Sequence, residues 1–294
     1  MKYLSYAKIN VGLRVLGKRP DGFHDILSLF LEVNFADELT ILPGSDGTIK
    51  VRCSDPHIPD GPDNLVYQAA KALREMANDD TLGCEIGIDK RIPSGGGLGG
   101  GSSNAALVIS LLNDIWKTGL GNRNLHRIAQ TVGSDVPFFL KGGCALVSGR
   151  GENLQPIDFT GNPYMVLVHP GFSVPTPWAF SKLNIKLTTE CPYIRFLNSV
   201  GVSGSVDLFE LFSVIQNDFL MLVASRYPSV ERILSLIRDA GAECASMSGT
   251  GATLYGGFAD EAVAQEVAER LRDQGYMAHL CRPIRRLSID SLAQ

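Results

Sequence analysis

Pro93-Ser-Gly-Gly-Gly-Leu-Gly-Gly-Gly-Ser-Ser-Asn104 is the stretch that says most about this 294-residue chain. Six of the seven residues from Gly95 to Gly101 are glycine, and apolar residues at helical spacing follow from Ala105 to Ile115. Backbone without Cβ atoms turns sharply and approaches a ligand closely. The helix that follows offers unpaired N–H groups and a positive dipole end to an anion. A flexible connector explains the run less well, because ordering so many glycines costs entropy that needs a compensating use. The stretch therefore predicts a phosphate site.

The composition indicates a globular chain without a polyanion-binding surface. Hydrophobic residues make up 45% of the chain, and its formal net charge is −4. This charge gives no general attraction for nucleic acid or anionic lipid, so we expect neither as a partner. The six cysteines are far apart and lack metal-ligand spacing, which indicates reduced thiols and a cytoplasmic location. The longest apolar run, residues 105–112, is too short to span a bilayer.

Apolar periodicity predicts a mixture of strands and helices. The alternation from Ala7 to Val15 predicts a strand with one buried face, and it puts Lys8 and Asn10 on the opposite, exposed face. Other strands are expected at residues 49–53, 84–88, 144–147 and at the end of a second glycine segment, 246–257. Helices are expected at residues 64–76, 105–115, 125–132, 230–237 and 260–275. Loops become more frequent beyond Gly151, which predicts two domains, 1–155 and 156–294.

Three common phosphate loops do not fit the glycine run. Gly95-x-Gly97-x-x-Gly100 formally matches a dinucleotide-binding fingerprint, but residues 90–93 separate it from the strand, and Asp114 falls inside the helix. A Walker A loop requires Gly-Lys-Ser/Thr, whereas Ser102 follows Gly101. The His-Arg-Asp and Asp-Phe-Gly segments of protein kinases do not occur in the sequence.

Residues 93–106 instead resemble the signature of the GHMP kinase superfamily, Pro-x-x-x-Gly-Leu-Gly-Ser/Gly-Ser-Ser-Ala/Asn. Seven other segments occur in the order expected for one branch of that superfamily: Ala7-Lys-Ile-Asn10, Asp21-Gly-Phe-His24, Gly133-Ser-Asp-Val-Pro137, Gly149-Arg-Gly-Glu152, His169-Pro-Gly171, Pro175-Thr-Pro177 and Met247-Ser-Gly-Thr-Gly251. This branch phosphorylates a cytidine diphosphate-linked methylerythritol. The resemblance covers nearly the whole chain and is weakest between residues 182 and 216.

The resemblance implies an α+β fold of two domains, with the active site in the cleft between them. The N-terminal domain would be like the second domain of ribosomal protein S5, and the C-terminal domain would be a GHMP kinase domain. The implied reaction is transfer of the γ-phosphate of ATP, with Mg²⁺, to the 2-hydroxyl of the acceptor in the non-mevalonate isoprenoid pathway. A small-molecule substrate and a monomer or weak homodimer are expected. Two alternatives stay open: a related kinase acting on mevalonate, phosphomevalonate or homoserine, and a catalytically silent ligand sensor.

The resemblance also implies a role for individual residues. Taken alone, Lys8 is most simply a solvated charge and Asp135 a helix cap, but both match the catalytic pair of the family, in which the carboxylate accepts the hydroxyl proton. Residues expected to bind ATP are Pro93, Ser94, Gly95, Gly96, Gly97, Leu98, Gly99, Gly100, Gly101, Ser102 and Ser103 around the phosphates, with Asn64, Leu65 and Lys90 near the nucleoside. No metal site formed by the protein alone is expected, and Mg²⁺ would come with ATP and lie near Ser102 or Ser103.

Residues expected to bind the acceptor are Asn10, Phe23, His24, Thr176 and Phe180, with Gly249, Thr250 and Gly251 closing the phosphate site. In the family, rings at the positions of Phe23 and Phe180 enclose the cytosine, and the histidine binds its edge. Stacking tolerates any base, so base specificity falls to His24 and nearby backbone. Phe23 stands where the family usually has tyrosine, which keeps the ring but removes its hydroxyl.

Overall fold

The computed structural model describes residues 1–183 and 191–285. Its N-terminal half is built on a six-stranded sheet, in which two long strands, β1 (Lys2–Lys18) and β2 (His24–Gly44), pair antiparallel along one edge of β2. The other edge of β2 pairs with two different strands along its length. The remaining strands are β3 (Ile49–Cys53), β4 (Gly83–Asp89), β5 (Cys144–Gly149) and β6 (Asn153–Pro156), and with β2 they follow the order β3-β4-β2-β5-β6.

Helices from the segments between these strands pack on this sheet. They are α1 (Leu65–Ala77), α2 (Gly100–Ile115), α3 (Asn122–Val132) and α4 (Val136–Phe139). Asn64 caps α1, because its Oδ1 accepts a hydrogen bond from Val66 N–H at 2.8 Å. Apolar side chains of α1, α2 and α3 share one buried cluster with Leu39 and Ile86 of the sheet. Helix α2, which follows the glycine run, is therefore fixed by the apolar core of the N-terminal half.

The C-terminal half contains a four-stranded antiparallel sheet with the order β10-β11-β8-β12. Its strands are β8 (Tyr164–His169), β10 (Cys244–Met247), β11 (Leu254–Phe258) and β12 (Met277–Cys281), and β7 (Asp158–Thr160) pairs separately with β9 (Ser205–Asp207). The helices of this half are α5 (Thr176–Lys182), α6 (Pro192–Ser203), α7 (Leu208–Phe212), α8 (Leu220–Arg226), α9 (Ser229–Asp239) and α10 (Glu261–Asp273). None of the helices described here is long and apolar enough to cross a membrane.

One buried apolar cluster joins the two sheets. It contains Ile9 from β1 together with Leu167 and Tyr255 from the C-terminal sheet. The hydroxyl of Tyr193 donates to the Val11 carbonyl at 2.5 Å, which ties α6 to β1 inside this cluster. The shared core fixes the position of the C-terminal sheet relative to the glycine loop.

The expected strands and helices are confirmed, with boundaries that differ by a few residues. One expectation about β1 was wrong, because Lys8 and Asn10 are only 3% and 2% exposed. Alternation identifies the strand correctly but does not show what covers its second face. The glycine loop lies against that face, and Lys8 N–H donates to the Leu98 carbonyl at 3.0 Å. The division between residues 155 and 156 stays a prediction.

Candidate active site

The glycine loop, residues 95–101, turns its carbonyl groups toward the protein. Gly96 O accepts from Thr253 N–H at 3.1 Å, and Gly97 O accepts from the Ser248 hydroxyl at 2.8 Å. By contrast, no N–H from Gly97 to Ser102 donates a hydrogen bond to another residue in the part of the chain that the structure describes. Helix α2 begins at Gly100 without a side-chain cap. This arrangement leaves a row of backbone donors and a helix N-terminus for an anion.

At two positions of the glycine loop, both the backbone conformation and the lack of room for a side chain require glycine. Gly97 has φ +79°, and a Cβ there would lie 2.4 Å from the Ser248 carbonyl oxygen. Gly99 has φ +69°, and a Cβ there would lie 2.8 Å from the Phe139 ring. A side chain at either position meets left-handed strain and a close contact at once.

The loop forms one wall of a pocket of about 370 Å³. Most of the residues expected to bind ATP line it: Asn64, Leu65, Lys90, Pro93, Ser94, Gly95, Gly96, Gly97, Gly99, Gly100, Gly101 and Ser102. Leu98 and Ser103 do not line this pocket. Leu98 is 1% exposed in the apolar core, and the Ser103 hydroxyl accepts a hydrogen bond from the Ser5 hydroxyl at 2.7 Å.

Asp37, for which the sequence predicted no role, contacts the residues that flank the glycine loop. This carboxylate is fully buried on β2, and its Oδ1 accepts from Arg91 N–H and Ile92 N–H, each at 2.8 Å. Its Oδ2 lies 2.5 Å from Lys90 Nζ and 3.0 Å from Asn104 Nδ2. One carboxylate thus holds both ends of the loop. An acidic residue within an apolar strand was the available signal.

Lys8 and Asp135 come together next to the loop, although 127 positions separate them in the sequence. Lys8 Nζ lies 3.4 Å from Asp135 Oδ2, donates to Asn10 Oδ1 at 2.7 Å and lies 4.3 Å from the centre of the Phe30 ring. The Lys8 side chain is 4% exposed, whereas that of Asp135 is 28% exposed. Asp135 precedes α4 but its side chain makes no capping hydrogen bond. The Asp135 carboxylate is therefore accessible from solvent, whereas the Lys8 ammonium is fixed by its contacts with Asp135, Asn10 and Phe30.

A second and larger cleft, of about 1120 Å³, borders the segment that carries Asp135. Phe23, His24, Thr176 and Phe180 line it, together with Gly133, Ser134 and Pro137 from the segment around Asp135. The His24 ring stacks on Phe180 with 4.9 Å between ring centres. Burial, and secondarily the charge of Lys18, lowers the pKa of His24. A neutral imidazole next to an aromatic ring is suited to hydrogen bonding with the edge of a base.

The remaining aromatic residue of this set, Phe23, is 56% exposed at the rim of the cleft. The guanidinium carbon of Arg150 lies 4.8 Å from the centre of its ring. Phe180 contacts Phe219 edge to face at 4.8 Å, so it is fixed on the side away from His24. One wall of the cleft is therefore a ring packed between two other aromatic rings, and the other is a ring at the surface.

Asn10 and the second glycine segment are linked through Ser248. Asn10 N–H donates to the Ser248 hydroxyl at 3.0 Å, and Asn10 Nδ2 donates to the Ser28 hydroxyl at 3.0 Å. A Cβ on Gly249 would lie 3.2 Å from Asn10 Oδ1, and the Thr250 hydroxyl lies 3.2 Å from that of Thr176. Gly251 lies in the same turn, against Met247. Ser248 belongs to the Met247–Gly251 motif and had no predicted role of its own, and its hydroxyl connects this segment to the glycine loop.

Comparisons with known proteins agree with this geometry. The model of the GHMP kinases N terminal domain matches residues 64–143, and that of the GHMP kinases C terminal domain matches residues 206–276. The chain is 38% identical to a 4-diphosphocytidyl-2-C-methyl-D-erythritol kinase from Prosthecochloris aestuarii over 91% of this chain and 92% of that protein. It is 36% identical to one from Citrifermentans bemidjiense over 97% of this chain and 99% of that protein.

Solved structures give the same result for the fold. A crystal structure of a 4-(cytidine 5'-diphospho)-2C-methyl-D-erythritol kinase matches with a TM-score of 0.79 and 30% identity, covering 96% of this chain and 98% of that one. A homoserine kinase from Cytophaga hutchinsonii matches with a TM-score of 0.73 at 19% identity, covering 97% and 95% of the two chains, which supports the fold alone. The expected α+β GHMP kinase fold is confirmed. The chain belongs to the GHMP kinases and, within them, to the 4-diphosphocytidyl-2-C-methyl-D-erythritol kinase family.

Proposed function

We propose that this kinase transfers the γ-phosphate of ATP to the 2-hydroxyl of 4-diphosphocytidyl-2-C-methyl-D-erythritol, giving the 2-phosphate in the non-mevalonate pathway to isoprenoid precursors. The observation that carries this proposal is the placement of the Lys8–Asp135 pair. Lys8 Cε is 3.3 Å from the position of a Cβ on Gly99 in the glycine loop, and the neighbours of Asp135 line the larger cleft. The pair therefore stands between a phosphate site and an acceptor site.

The pocket beside the glycine loop would bind ATP. Its backbone donors and the N-terminus of α2 stabilise the negative charge of the phosphates, and Gly97 and Gly99 allow that close approach. Lys90 contributes a cation at the pocket wall, held in place by Asp37. Asn64 and Leu65 begin α1 at the far side of this pocket and would contact the nucleoside.

Asp135 would act as the general base. Phosphoryl transfer mainly requires positioning of the hydroxyl and compensation of negative charge. The exposed fraction of Asp135 lets its carboxylate reach an acceptor hydroxyl in the cleft and take its proton. Lys8 would stabilise the negative charge that develops on the transferred group, and Asn10 and Phe30 keep its ammonium in position.

Mg²⁺ fits the phosphate pocket as a companion of the nucleotide. When bound, it neutralises phosphate charge. The described residues contain no group of three or more His, Cys, Asp or Glu side chains arranged to hold a metal, so most ligands would be phosphate and water oxygens. Of the two serines expected near the metal, Ser102 lines the pocket, whereas Ser103 bonds to Ser5 outside it. We therefore assign Ser102 as the protein hydroxyl nearest the metal.

The larger cleft would bind the cytidine diphosphate part of the acceptor. Phe180 and Phe23 supply aromatic surfaces, and His24 supplies the hydrogen bond to the base edge. Thr176 and Thr250 meet at the side of the cleft where the sugar alcohol and diphosphate would pass toward Asp135. Related kinases for mevalonate or homoserine have no base to bind, so they do not require these aromatic walls.

A direct assay tests the proposal. Purified protein is incubated with ATP, Mg²⁺ and the cytidyl acceptor, and the product is identified by mass and phosphorus NMR. We expect one added phosphate on the 2-hydroxyl and stoichiometric ADP. Homoserine, mevalonate and phosphomevalonate are offered in parallel reactions. If one of them is phosphorylated and the cytidyl acceptor is not, the substrate is a different one. If no acceptor leads to ATP consumption, the chain is a ligand sensor.

Two further expectations accompany this function. A monomer or weak homodimer is checked by sedimentation equilibrium over a range of protein concentrations. A cytoplasmic location is checked by fractionation of the source cells. Five of the six cysteines are buried and all are free thiols, which suits a reducing compartment.

A further inference from the structure

The His169-Pro-Gly171 motif lies against the glycine loop, and the proposed reaction gives it no role. A Cβ on Gly96 would lie 3.2 Å from His169 Cδ2 and 2.7 Å from the Thr253 hydroxyl oxygen. Thr253 N–H also donates to the Gly96 carbonyl at 3.1 Å. Two side chains of the C-terminal sheet, at the end of β8 and beside β11, therefore pack against a single residue of the phosphate loop.

Each of these side chains has a buried polar atom without a partner. His169 Nδ1 accepts from Gly171 N–H at 3.3 Å, and burial lowers the pKa of His169, so the neutral ring carries its proton on Nε2. Within residues 1–183 and 191–285, neither His169 Nε2 nor the Thr253 hydroxyl has a hydrogen-bond partner. The large majority of buried side-chain polar atoms in native structures have at least one hydrogen-bond partner, and leaving one without a partner is destabilising. Packing alone does not explain why both side chains are polar here.

We propose that His169 and Thr253 are positioning residues for the phosphate donor. By packing against Gly96, they fix the position and orientation of its peptide group. When ATP is bound, the Nε2–H of His169 and the hydroxyl of Thr253 form hydrogen bonds with the glycine loop. The inference rests on the proposed function, because it assumes that the loop holds phosphates. It adds that the C-terminal sheet contributes to ATP affinity through residues that do not line the ATP pocket.

Four variants test this inference. Thr253→Val removes the hydroxyl with little change of volume, and Thr253→Ser keeps it. His169→Asn keeps an acceptor near the Gly171 N–H but removes the distal donor, and Thr160→Val removes a hydroxyl that bonds to Asp207 on β9, away from the loop. KM and kcat are measured for both substrates, and the affinity for ATP alone is measured by calorimetry.

We expect Thr253→Val and His169→Asn each to raise the KM for ATP about 3–10-fold, the size of one lost hydrogen bond. The KM for the acceptor and the kcat should stay within about twofold, and Thr253→Ser and Thr160→Val should match the parent enzyme. A double variant that combines Thr253→Val with His169→Asn should raise the KM for ATP by less than the product of the two single increases, because both side chains act on one peptide.

Several results would overturn the inference. They are an unchanged KM for ATP in folded Thr253→Val, an equal rise in the KM for both substrates, and a loss in Thr253→Ser as large as in Thr253→Val. If His169→Asn does not fold, the two Thr253 variants decide the outcome. If the parent enzyme fails to phosphorylate the cytidyl acceptor but Thr253→Val weakens ATP binding in calorimetry, the proposed function fails and this inference stands.

Discussion

The two pockets near Lys8 and Asp135 are built from different parts of the chain. The smaller pocket is lined largely by backbone of the glycine loop, which Asp37 and Ser248 hold from outside. Side chains from the β1–β2 turn, the segment before α4, and α5 line the larger cleft. Phosphate is common to all nucleotides and suits backbone donors, whereas one particular acceptor must be selected by side chains. Changes in the smaller pocket should therefore act through conformation, and changes in the larger cleft through lost contacts.

The largest effect is expected at Asp135. Asp135→Asn removes the proton acceptor but keeps the shape, so kcat should fall about 10³-fold, within the range for general bases. The affinities for ATP and for the acceptor should change little, because neither Lys8 nor Asp135 is among the residues that line the two pockets. Single-turnover kinetics and calorimetry check both statements. Near-normal turnover in the folded variant would exclude Asp135 as the base.

A second, somewhat smaller effect is expected in the phosphate loop. Gly97→Ala combines a φ of +79° with a Cβ only 2.4 Å from the Ser248 carbonyl oxygen. We expect a 30–100-fold (roughly 2–3 kcal/mol) loss of kcat/KM for ATP. Gly119→Ala is the matched control, since Gly119 has φ +68° but nothing within 4 Å. It should lose stability without changing the KM for ATP, and equal effects of the two variants on that KM would contradict a conformational role for Gly97.

A third effect should be confined to the acceptor. Phe180→Ala removes one aromatic wall of the larger cleft, and base stacking contributes about 1–3 kcal/mol per base. The KM for the cytidyl acceptor should therefore rise about 10–50-fold, whereas the KM for ATP stays within twofold. Phe172→Ala, which breaks a ring stack with Tyr227 at 4.0 Å, serves as a control. A parallel rise in both KM values for Phe180→Ala would mean that the two pockets are not separable.

The smallest effect on activity is expected at Glu32, which lines a cavity of about 50 Å³ apart from both pockets. Burial raises the pKa of Glu32 from 4.5 to about 7. The folded state then binds more protons than the unfolded state between these values, so the free energy of unfolding falls as pH rises from about 4.5 to 7. The loss is roughly 3 kcal/mol at most, at about 1.36 kcal/mol per pH unit.

Glu32→Gln cannot ionise and keeps an acceptor for Gly143 N–H, which donates to Glu32 at 2.7 Å. We expect this variant to be more stable than the parent at pH 8 and to lose less stability between pH 5 and pH 8, with turnover changed less than threefold. Urea denaturation at the two pH values measures the difference. Glu269→Gln on α10 is the control, and an unchanged pH dependence in Glu32→Gln would show that Glu32 does not titrate in this range.

Much of the phosphate pocket was predictable from sequence because its determinants are local. The glycine run, the helix after it and the capping Asn64 follow one another closely, and each has a pattern of its own. Asp37 was not predictable in this way. Its role depends on contacts with residues more than 50 positions away, and no local periodicity encodes which loop a strand will meet.

The burial of Lys8 also shows that a local sequence pattern does not reveal tertiary contacts. Alternation predicted its strand and wrongly predicted exposure, because period two describes the strand and not the layer that covers it. Its partnership with Asp135 was inferred from resemblance, and a distance of 3.4 Å between the two side chains is compatible with it. Similarly, adjacent Ser102 and Ser103 look equivalent in the sequence but face different surroundings.

The sequence by itself determined the strands and helices, the phosphate loop and, through the order of its motifs, the family. Periodicity and short motifs reflect local geometry, which neighbouring residues specify. Only the tertiary structure decided that Lys8 is buried, that Asp37 and Ser248 hold the loop, and that His169 and Thr253 lie beneath it. These features arise from contacts between distant segments that one shared core brings together, and no local pattern in the chain records them.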